Sequence, residues 1–341
     1  MRALQLTAWQ ADPELRDVDV PTPGPGEVLV KVEGAGLCHS DLEIMDWPEG
    51  TQPWELPFTL GHETAGRVAA LGTGASGFSE GDPVLVFAMW GCGSCRFCVS
   101  GAANLCSHRP DRPGGGLGRD GGLAEYLLVP SPRLLVGIDG LDPAGAAPLA
   151  DAALTPYHAL RQRLPLRPGA SVVVIGAGGL GHIAVQLLRA LTPARVVAVD
   201  LRASARELAL AAGAHAAIDG NGLDAAGVRE ETGPDGAALV LDFVAVDSTL
   251  QLASEVVEMD GHVTIVGLGG GSFPTASRAL PRQWSASRIS YGTIPELREV
   301  VELARDGSIR IEVERLSLED ALDGYRRLRE SAVVGRAVAV P

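Results

Sequence analysis

Two hydrophobic rhythms divide the chain. Up to about residue 130, short apolar runs at Met1–Leu6, Val28–Gly34, Thr64–Ala70, Pro83–Phe87 and Tyr126–Val129 are each bounded by Gly, Pro or Asp. Many short strands separated by turn residues predict a compact antiparallel barrel. From Ser171 the rhythm changes: Val172–Ile175 is an unbroken β-branched run, the pattern of a strand covered on both faces of a parallel sheet. Leu180, Ile183, Ala184, Leu187, Leu188 and Leu191 then recur at i, i+3, i+4, i+7, i+8 and i+11, one apolar stripe of a helix. The alternation continues with a strand over Arg195–Val199 and a capping box, Ser204 to Glu207, opening a helix that stops at Gly213. A strand over Ala237–Phe243, a helix over Ser248–Val257 and a strand over His262–Val266 follow. Alternating elements of this length predict a doubly wound parallel sheet with its ligand crevice at the carboxyl ends of the strands. From about Ile294 come a helix, a strand near Ile309–Val313, a helix from Leu318 and a final strand. At 341 residues the chain exceeds the usual size of a single core, so two domains are expected.

Between the Val172–Ile175 strand and the helix, Gly176, Gly178 and Gly181 satisfy G-x-G-x-x-G, with Gly179 and Leu180 completing the turn. In that context the glycines supply a tight turn, close backbone approach to a pyrophosphate and close helix–strand packing. Unsatisfied N–H groups at the helix start would receive the phosphate oxygens. Asp200 ends the next strand about twenty residues on, where an acid can hold the adenosine ribose 2′-hydroxyl. The alternative, a loop acid or a cap of the following helix, fits this local context less well. As a ribose ligand Asp200 would repel a 2′-phosphate, so NAD is expected over NADP, while Arg202 pulls the other way. Val266 is expected on the nicotinamide side, and Gly267–Ser272 as a loop near the cofactor.

Charge and composition narrow the class. A formal charge of −14 argues against nucleic acid or an anionic membrane as partner. The hydrophobic content of 46% is that of a globular protein, and no apolar run approaches 18 residues. Met1–Pro13 lacks the apolar core of a signal peptide, so a cytoplasmic enzyme is expected. Five cysteines, an odd and clustered count, suggest a metal rather than a disulfide framework.

Four of them stand as C-x2-C-x2-C-x7-C at Cys92, Cys95, Cys98 and Cys106, inside a Gly- and Pro-rich stretch with little periodicity (Trp90–Gly122). A loop that long needs its own anchor. Four thiolates leave no open position, which describes a structural zinc site. Disulfides are disfavoured by compartment, and the final gap of seven departs from the bacterial ferredoxin run. Two further clusters, Leu37-Cys38-His39-Ser40-Asp41 and Gly61-His62-Glu63, offer a thiolate and an imidazole. Taken alone they read equally as a buried cysteine and a hydrogen-bonded turn histidine.

Together these stretches resemble the zinc-dependent medium-chain alcohol dehydrogenases, most closely the bacterial secondary-alcohol type. Gly61-His62-Glu63-Thr-Ala-Gly66 followed by Gly72 is similar to the catalytic-zinc signature, and Leu37–Asp41 to the first-ligand motif. The cysteine quartet is similar to the structural-zinc lobe, and Gly176–Gly181 with Asp200 to the cofactor motif. The resemblance implies an α/β fold with two parts. A GroES-like antiparallel β-barrel catalytic domain would span 1–154 and 294–341, with its zinc lobe at about 90–110. A Rossmann doubly wound nucleotide domain would span 155–293. Two Zn²⁺ per subunit and NAD are implied, with hydride passing between an alcohol and NAD⁺ to interconvert alcohols with ketones or aldehydes. A polyol or aldehyde-adduct dehydrogenase of the same family is the alternative. Cys38, His62 and Asp151 are the implied ligands of the catalytic zinc; Asp151, in Pro148-Leu-Ala-Asp151, otherwise reads as a helix N-cap. Glu63 matches the acid beside the ligands and Ser40 the proton-relay hydroxyl. Glu43 stands where many relatives have a relay histidine, and could equally face the pocket. His39 and Arg336 match positions facing the cofactor pyrophosphate. Trp54 and Tyr291 fall at bulky substrate-pocket positions and read equally as core aromatics. A homodimer or homotetramer acting on a small-molecule alcohol or ketone, without nucleic acid or membrane partners, is the implied assembly.

Overall fold

The computed structural model describes residues 1–108, 113–222, 224–275 and 280–341. Contacts divide the chain into two compact units. One comprises Met1–Leu154, Thr293–Arg305 and Ile311–Pro341; the other comprises Thr155–Gly292 and Asp306–Arg310.

The first unit opens with β1 (Arg2–Leu6), β2 (Glu14–Asp17) and β3 (Val28–Gly36). In the middle of β3, Val30, Val32 and Gly34 are buried while Lys31 is exposed and Glu33 half-buried, a period-two alternation, and both ends of the strand are buried throughout. The chain passes straight into α1 (His39–Asp46), then β4 (Phe58–Thr59), β5 (Glu63–Leu71) and β6 (Pro83–Val86). β3 and β5 pair antiparallel in close contact: a Cβ on Gly66 would lie 2.0 Å from the Lys31 carbonyl oxygen. After the cysteine-rich lobe with its single turn α2 (Arg96–Val99), the chain forms β7 (Gly114–Gly115), β8 (Gly118–Arg119), β9 (Tyr126–Val129), β10 (Leu135–Gly137) and α3 (Pro143–Ala146).

The second unit contains α4 from Thr155 onward (Leu154–Arg161), β11 (Ser171–Ile175), α5 (Gly181–Leu191), β12 (Arg195–Asp200), α6 (Ala203–Ala211), β13 (Ala216–Asp219) and α7 (Ala225–Thr232). It continues through β14 (Ala237–Asp242), α8 (Asp247–Val256), β15 (Val257–Ile265) and β16 (Ser285–Arg288). The strands form a parallel sheet in the order β13-β12-β11-β14-β15-β16. Every residue of β11 is buried, as its β-branched composition requires. Because β12 and β14 flank β11 on opposite sides, the glycine turn after β11 sits at the point where strand order reverses, where such sheets bind ligands.

The remaining elements are α9 (Ile294–Arg305), β17 (Val313–Ser317), α10 (Ala321–Arg329) and β18 (Arg336–Val340). β18 pairs antiparallel with β3, with Val338 opposite Gly36 and Ala339 opposite Ala35. The main sheet of the first unit runs β10-β6-β5-β3-β18-β17, with β9 also paired to β3. Three sequence expectations need correction. The strand placed near Ile309–Val313 lies at Val313–Ser317, because its pairing partner β18 sets the register. That pairing is parallel, so the sheet is not wholly antiparallel. Ser204 does not cap α6, which begins one residue earlier; Asp200 accepts the Arg202 N–H at 2.9 Å and orients the helix entry.

Candidate metal centres and dinucleotide site

Cys38, His62 and Asp151, 113 residues apart at the extremes, converge in the first unit with all ligand atoms within 4.8 Å of one another. Cys38 follows β3 and precedes the first turn of α1. His62 immediately precedes β5, and Asp151 closes a 3-10 turn over Ala147–Ala150. Asp151 therefore does not cap the next helix, which starts at Leu154. The Cys38 Sγ lies 3.6 Å from Asp151 Oδ2, and His62 Nε2 lies 3.5 Å from the same oxygen. A tetrahedral zinc with bonds of about 2.3 Å to sulfur and about 2.0 Å to nitrogen or oxygen separates its ligands by roughly 3.3–3.5 Å. The donor set, one thiol, one imidazole and one carboxyl with all three buried, fits such an ion.

Two buried carboxylates hold these donors. Asp41, fully buried, accepts the Cys38 backbone N–H on Oδ2 at 3.0 Å and contacts His62 Nδ1 through Oδ1, also at 3.0 Å. With Nδ1–H donating to Asp41, the His62 Nε2 lone pair is left for a metal. The Tyr325 hydroxyl donates to Asp41 Oδ2 at 2.8 Å. The second carboxylate, Glu63, accepts the Ala152 N–H at 3.1 Å, fixing the backbone beside Asp151, and pairs with Arg336. Burial pushes the Glu63 carboxyl up to about 7, against the pull of Arg336 and with a further push from Asp151. Gly36 makes room for it: a Cβ there would lie 1.9 Å from Glu63 Oε2. Burial opposes the charge on Arg336, and the negative field of Glu63, Cys38 and Asp151 more than restores it. Arg336 is buried, and its guanidinium pairs with Glu63.

In the cysteine-rich lobe, Cys92, Cys95, Cys98 and Cys106 also lie within 4.8 Å of one another. Cys92 and Cys98 sulfurs are 3.9 Å apart, as are those of Cys95 and Cys106, so none is a disulfide. The Cys95 N–H points at Cys92 Sγ (3.3 Å) and the Cys92 N–H at Cys106 Sγ (3.4 Å). The Ser94 hydroxyl and nearby N–H groups bring the Cys92 thiol down to about 4, whereas burial pushes Cys98 up to about 12. A closed four-sulfur set with N–H donors around it fits a structural zinc. The last two residues of the expected lobe, 109 and 110, lie outside the described residues.

In the second unit, Gly176 has φ +84 and a Cβ on Gly181 would sit 1.9 Å from the Gly176 carbonyl oxygen, so both positions require glycine. No side chain caps α5, whose first N–H groups face the turn of Gly178, Gly179 and Leu180. His182, unremarked in the sequence, is buried with Nδ1 2.7 Å from the Gly178 carbonyl oxygen and secures this turn. Asp200 Oδ2 accepts the Ala177 N–H at 2.9 Å, and its Oδ1 lies 3.2 Å from Arg202 Nε. The acid is therefore fixed against the glycine turn with the arginine folded onto it. Replacing it, Asp200→Gly, is expected to shift the NAD-over-NADP ratio of kcat/KM toward NADP by about tenfold or more. That factor corresponds to about 1.4 kcal/mol of removed repulsion toward a 2′-phosphate. An unchanged ratio would take Asp200 out of cofactor selection.

A family model described as an alcohol dehydrogenase GroES-like domain matches residues 24–139, and one described as a zinc-binding dehydrogenase matches 179–306. An NAD-dependent alcohol dehydrogenase of Sulfolobus acidocaldarius is 35% identical over 348 residues, covering 99% of both chains. The chain belongs to the zinc-type alcohol dehydrogenase family. A D-arabinose 1-dehydrogenase (NADP(+)) of Saccharolobus solfataricus is 32% identical over 351 residues, covering 100% of this chain and 97% of the relative. The crystal structure of the alcohol dehydrogenase of the archaeon Aeropyrum pernix superposes with a TM-score of 0.93 at 34% identity, covering both chains completely.

The remaining candidates of this alcohol dehydrogenase family member are distributed as follows. Ser40 Oγ lies 3.7 Å from Cys38 Sγ on the first turn of α1. His39, beside it, is exposed. Glu43, on the same helix, is half-buried, and burial raises its carboxyl above the usual range. Trp54 packs in a cluster, its ring 5.3 Å from Trp47 and edge-on to Phe58 at 5.8 Å. Val266 is half-buried, its N–H bonded to the Asp242 carbonyl at 2.9 Å. Tyr291 is half-buried with φ +52. Glu43 and Trp54 belong to the unit of the three-ligand cluster, and Tyr291 to the other. Asp41 and Tyr325 are the residues sequence reasoning passed over. Asp41 carried a local signal, three residues after Cys38 where a side chain can reach back to the N-cap N–H. Tyr325 carried none.

Proposed function

We propose that this enzyme interconverts secondary and primary alcohols with ketones and aldehydes, passing hydride to and from NAD. The observation that carries the reading is the convergence of Cys38, His62 and Asp151 into one buried three-donor cluster, in a chain whose other unit holds a glycine turn built for a dinucleotide. Cys38, His62 and Asp151 would hold the catalytic zinc, and Cys92, Cys95, Cys98 and Cys106 the structural one. When bound, the catalytic zinc supplies Lewis acidity at the substrate oxygen, and NAD supplies the hydride acceptor. Three protein donors leave one position for substrate. Cys38 and Asp151 together bring two negative charges, which balance a divalent ion. Ser40 relays the proton that the alcohol gives up, accepting it as its own hydroxyl proton passes outward to solvent, Asp41 fixes the His62 tautomer, and Glu63 with Arg336 secures the backbone beside Asp151. Gly176, Gly178, Gly179, Leu180 and Gly181 receive the pyrophosphate, with His39 as a second contact; Asp200 receives the adenosine ribose, and Val266 lines the nicotinamide side. Residues 1–154 and 294–341 form the catalytic domain and 155–293 the nucleotide domain. Glu43, Trp54 and Tyr291 shape substrate access.

The polyol alternative draws support from the similarity to the D-arabinose 1-dehydrogenase. We place the enzyme in the cytoplasm as a homodimer or homotetramer; among the described residues no helix is long and apolar enough to cross a membrane. Elemental analysis together with NADH formation across simple secondary and primary alcohols, polyols and aldose sugars tests the reading. Two zinc ions per chain and NADH formation fastest with simple alcohols are expected. Fastest turnover on sugars or polyols would favour the alternative, and a metal-free active enzyme would refute both.

A further inference from the structure

We infer that Tyr325 is a positioning residue for the catalytic zinc site, acting from the C-terminal helix through Asp41 on two of the three ligands. The inference rests on the reading of Cys38, His62 and Asp151 as zinc ligands. Helix α10 is one-sided: Ala321, Gly324 and Tyr325 are buried, while Arg326 and Arg329 face outward. Gly324 eases its close packing, since a Cβ there would come within 2.6 Å of a Leu316 methyl carbon and 2.7 Å of a Leu37 one. At the rim, Arg329 makes two bonds to Asp46 of α1, at 2.6 and 3.0 Å. Beneath that pair the fully enclosed Tyr325 hydroxyl donates to Asp41 Oδ2 at 2.8 Å.

Asp41 is the junction. Its carboxylate contacts the Cys38 N–H, the His62 ring and the Tyr325 hydroxyl, so one side chain fixes the backbone of the thiol ligand and the ring of the imidazole ligand. The Cys38 N–H and the Tyr325 hydroxyl share Oδ2, leaving Oδ1 to His62. Without the phenol the carboxylate keeps the same charge but loses one of the three contacts that hold its plane, and the hydrogen bond to His62 loosens with it. Burial and the negative Asp41 push the phenol above its ordinary range, so it remains a donor at neutral pH. Loss of the partner bonded directly to a ligating histidine, here Asp41, typically costs 10- to 100-fold in metal affinity, and Tyr325, one hydrogen bond further out, sets part of that effect.

The test is Tyr325→Phe, which keeps the ring and removes only the hydroxyl. Zinc affinity is measured by chelator competition on the full chain, and cobalt(II) replaces zinc so that the visible bands report the ligand field. One of the two zinc ions is expected to bind about 3- to 10-fold more weakly, short of the loss in Asp41→Ala, with shifted cobalt bands, while the four-cysteine site is unchanged. Adding Tyr325→Phe to Asp41→Ala should weaken binding no further, because the hydroxyl acts through that carboxylate. Wild-type affinity and cobalt bands in Tyr325→Phe, even with a lower Tm, would reduce Tyr325 to a packing role and overturn the inference. So would additive losses in the double variant. A wild-type chain that binds only the four-cysteine zinc would instead overturn the ligand reading itself, and the inference with it.

Discussion

Asp151→Ala is expected to release one of two zinc ions per chain and to abolish nearly all turnover, with the fold and the four-cysteine zinc retained. Asp151 contributes the only carboxylate oxygen among the three converging donors, and its Oδ2 lies 3.6 Å from the Cys38 sulfur and 3.5 Å from His62 Nε2. Removing it leaves one thiolate and one imidazole, and a divalent ion then keeps a net positive charge in a buried setting, which is costly. Losing several kcal/mol of stabilisation at the substrate oxygen, of which about 4 kcal/mol corresponds to a factor of roughly 10³, sets the expected fall in kcat. Steady-state kinetics with metal analysis on the same preparation checks it. Asp151→Cys, which returns a negative donor, should recover the second zinc. Full turnover with two zinc ions in Asp151→Ala would remove Asp151 from the metal site.

The largest expected effect on stability comes from Cys98→Ala. The lobe has little regular structure of its own, a single turn at Arg96–Val99 and a 3-10 turn at Ala103–Leu105, so its four sulfurs are its organising contacts. Cys98 is buried at their centre, against Gly91, where a Cβ would lie 2.4 Å from its sulfur. Zinc binding supplies on the order of 10 kcal/mol in isolated zinc-finger peptides. Here the lobe is already anchored at two points, by Arg133 on the Gly91 carbonyl and by the Ile294 N–H on the Gly101 carbonyl, so only part of that is at stake. A loss of about 4 kcal/mol lowers Tm by roughly 6 °C in a chain of 341 residues. Cys98→Ala should therefore lose one zinc, melt about that much lower and be cut within residues 90–108 by a protease that spares the wild type. At 25 °C it should keep turnover in proportion to its remaining zinc. Calorimetry and limited proteolysis read these effects; an unchanged Tm with two zinc ions bound would refute them.

The sequence by itself determined what depends on neighbours along the chain. The β-branched run of β11, the apolar stripe of α5 and the glycine turn between them are local patterns, because strand burial, helical periodicity and positive φ each leave a short-range mark. The cysteine quartet was legible for the same reason, its four donors lying within fifteen residues. Asp151 was different: by residue pattern alone it resembled a helix cap, and only the family resemblance pointed to a ligand. Tertiary structure alone decided what holds the metal donors in place. Tyr325 and Asp41 stand 284 residues apart, and Arg336 and Glu63 stand 273 apart. Their meeting depends on β18 pairing with β3 and on α10 lying against α1, which no local rhythm encodes. A buried charge accepts only a partner that the fold delivers to it, so the identity of that partner is a property of the topology.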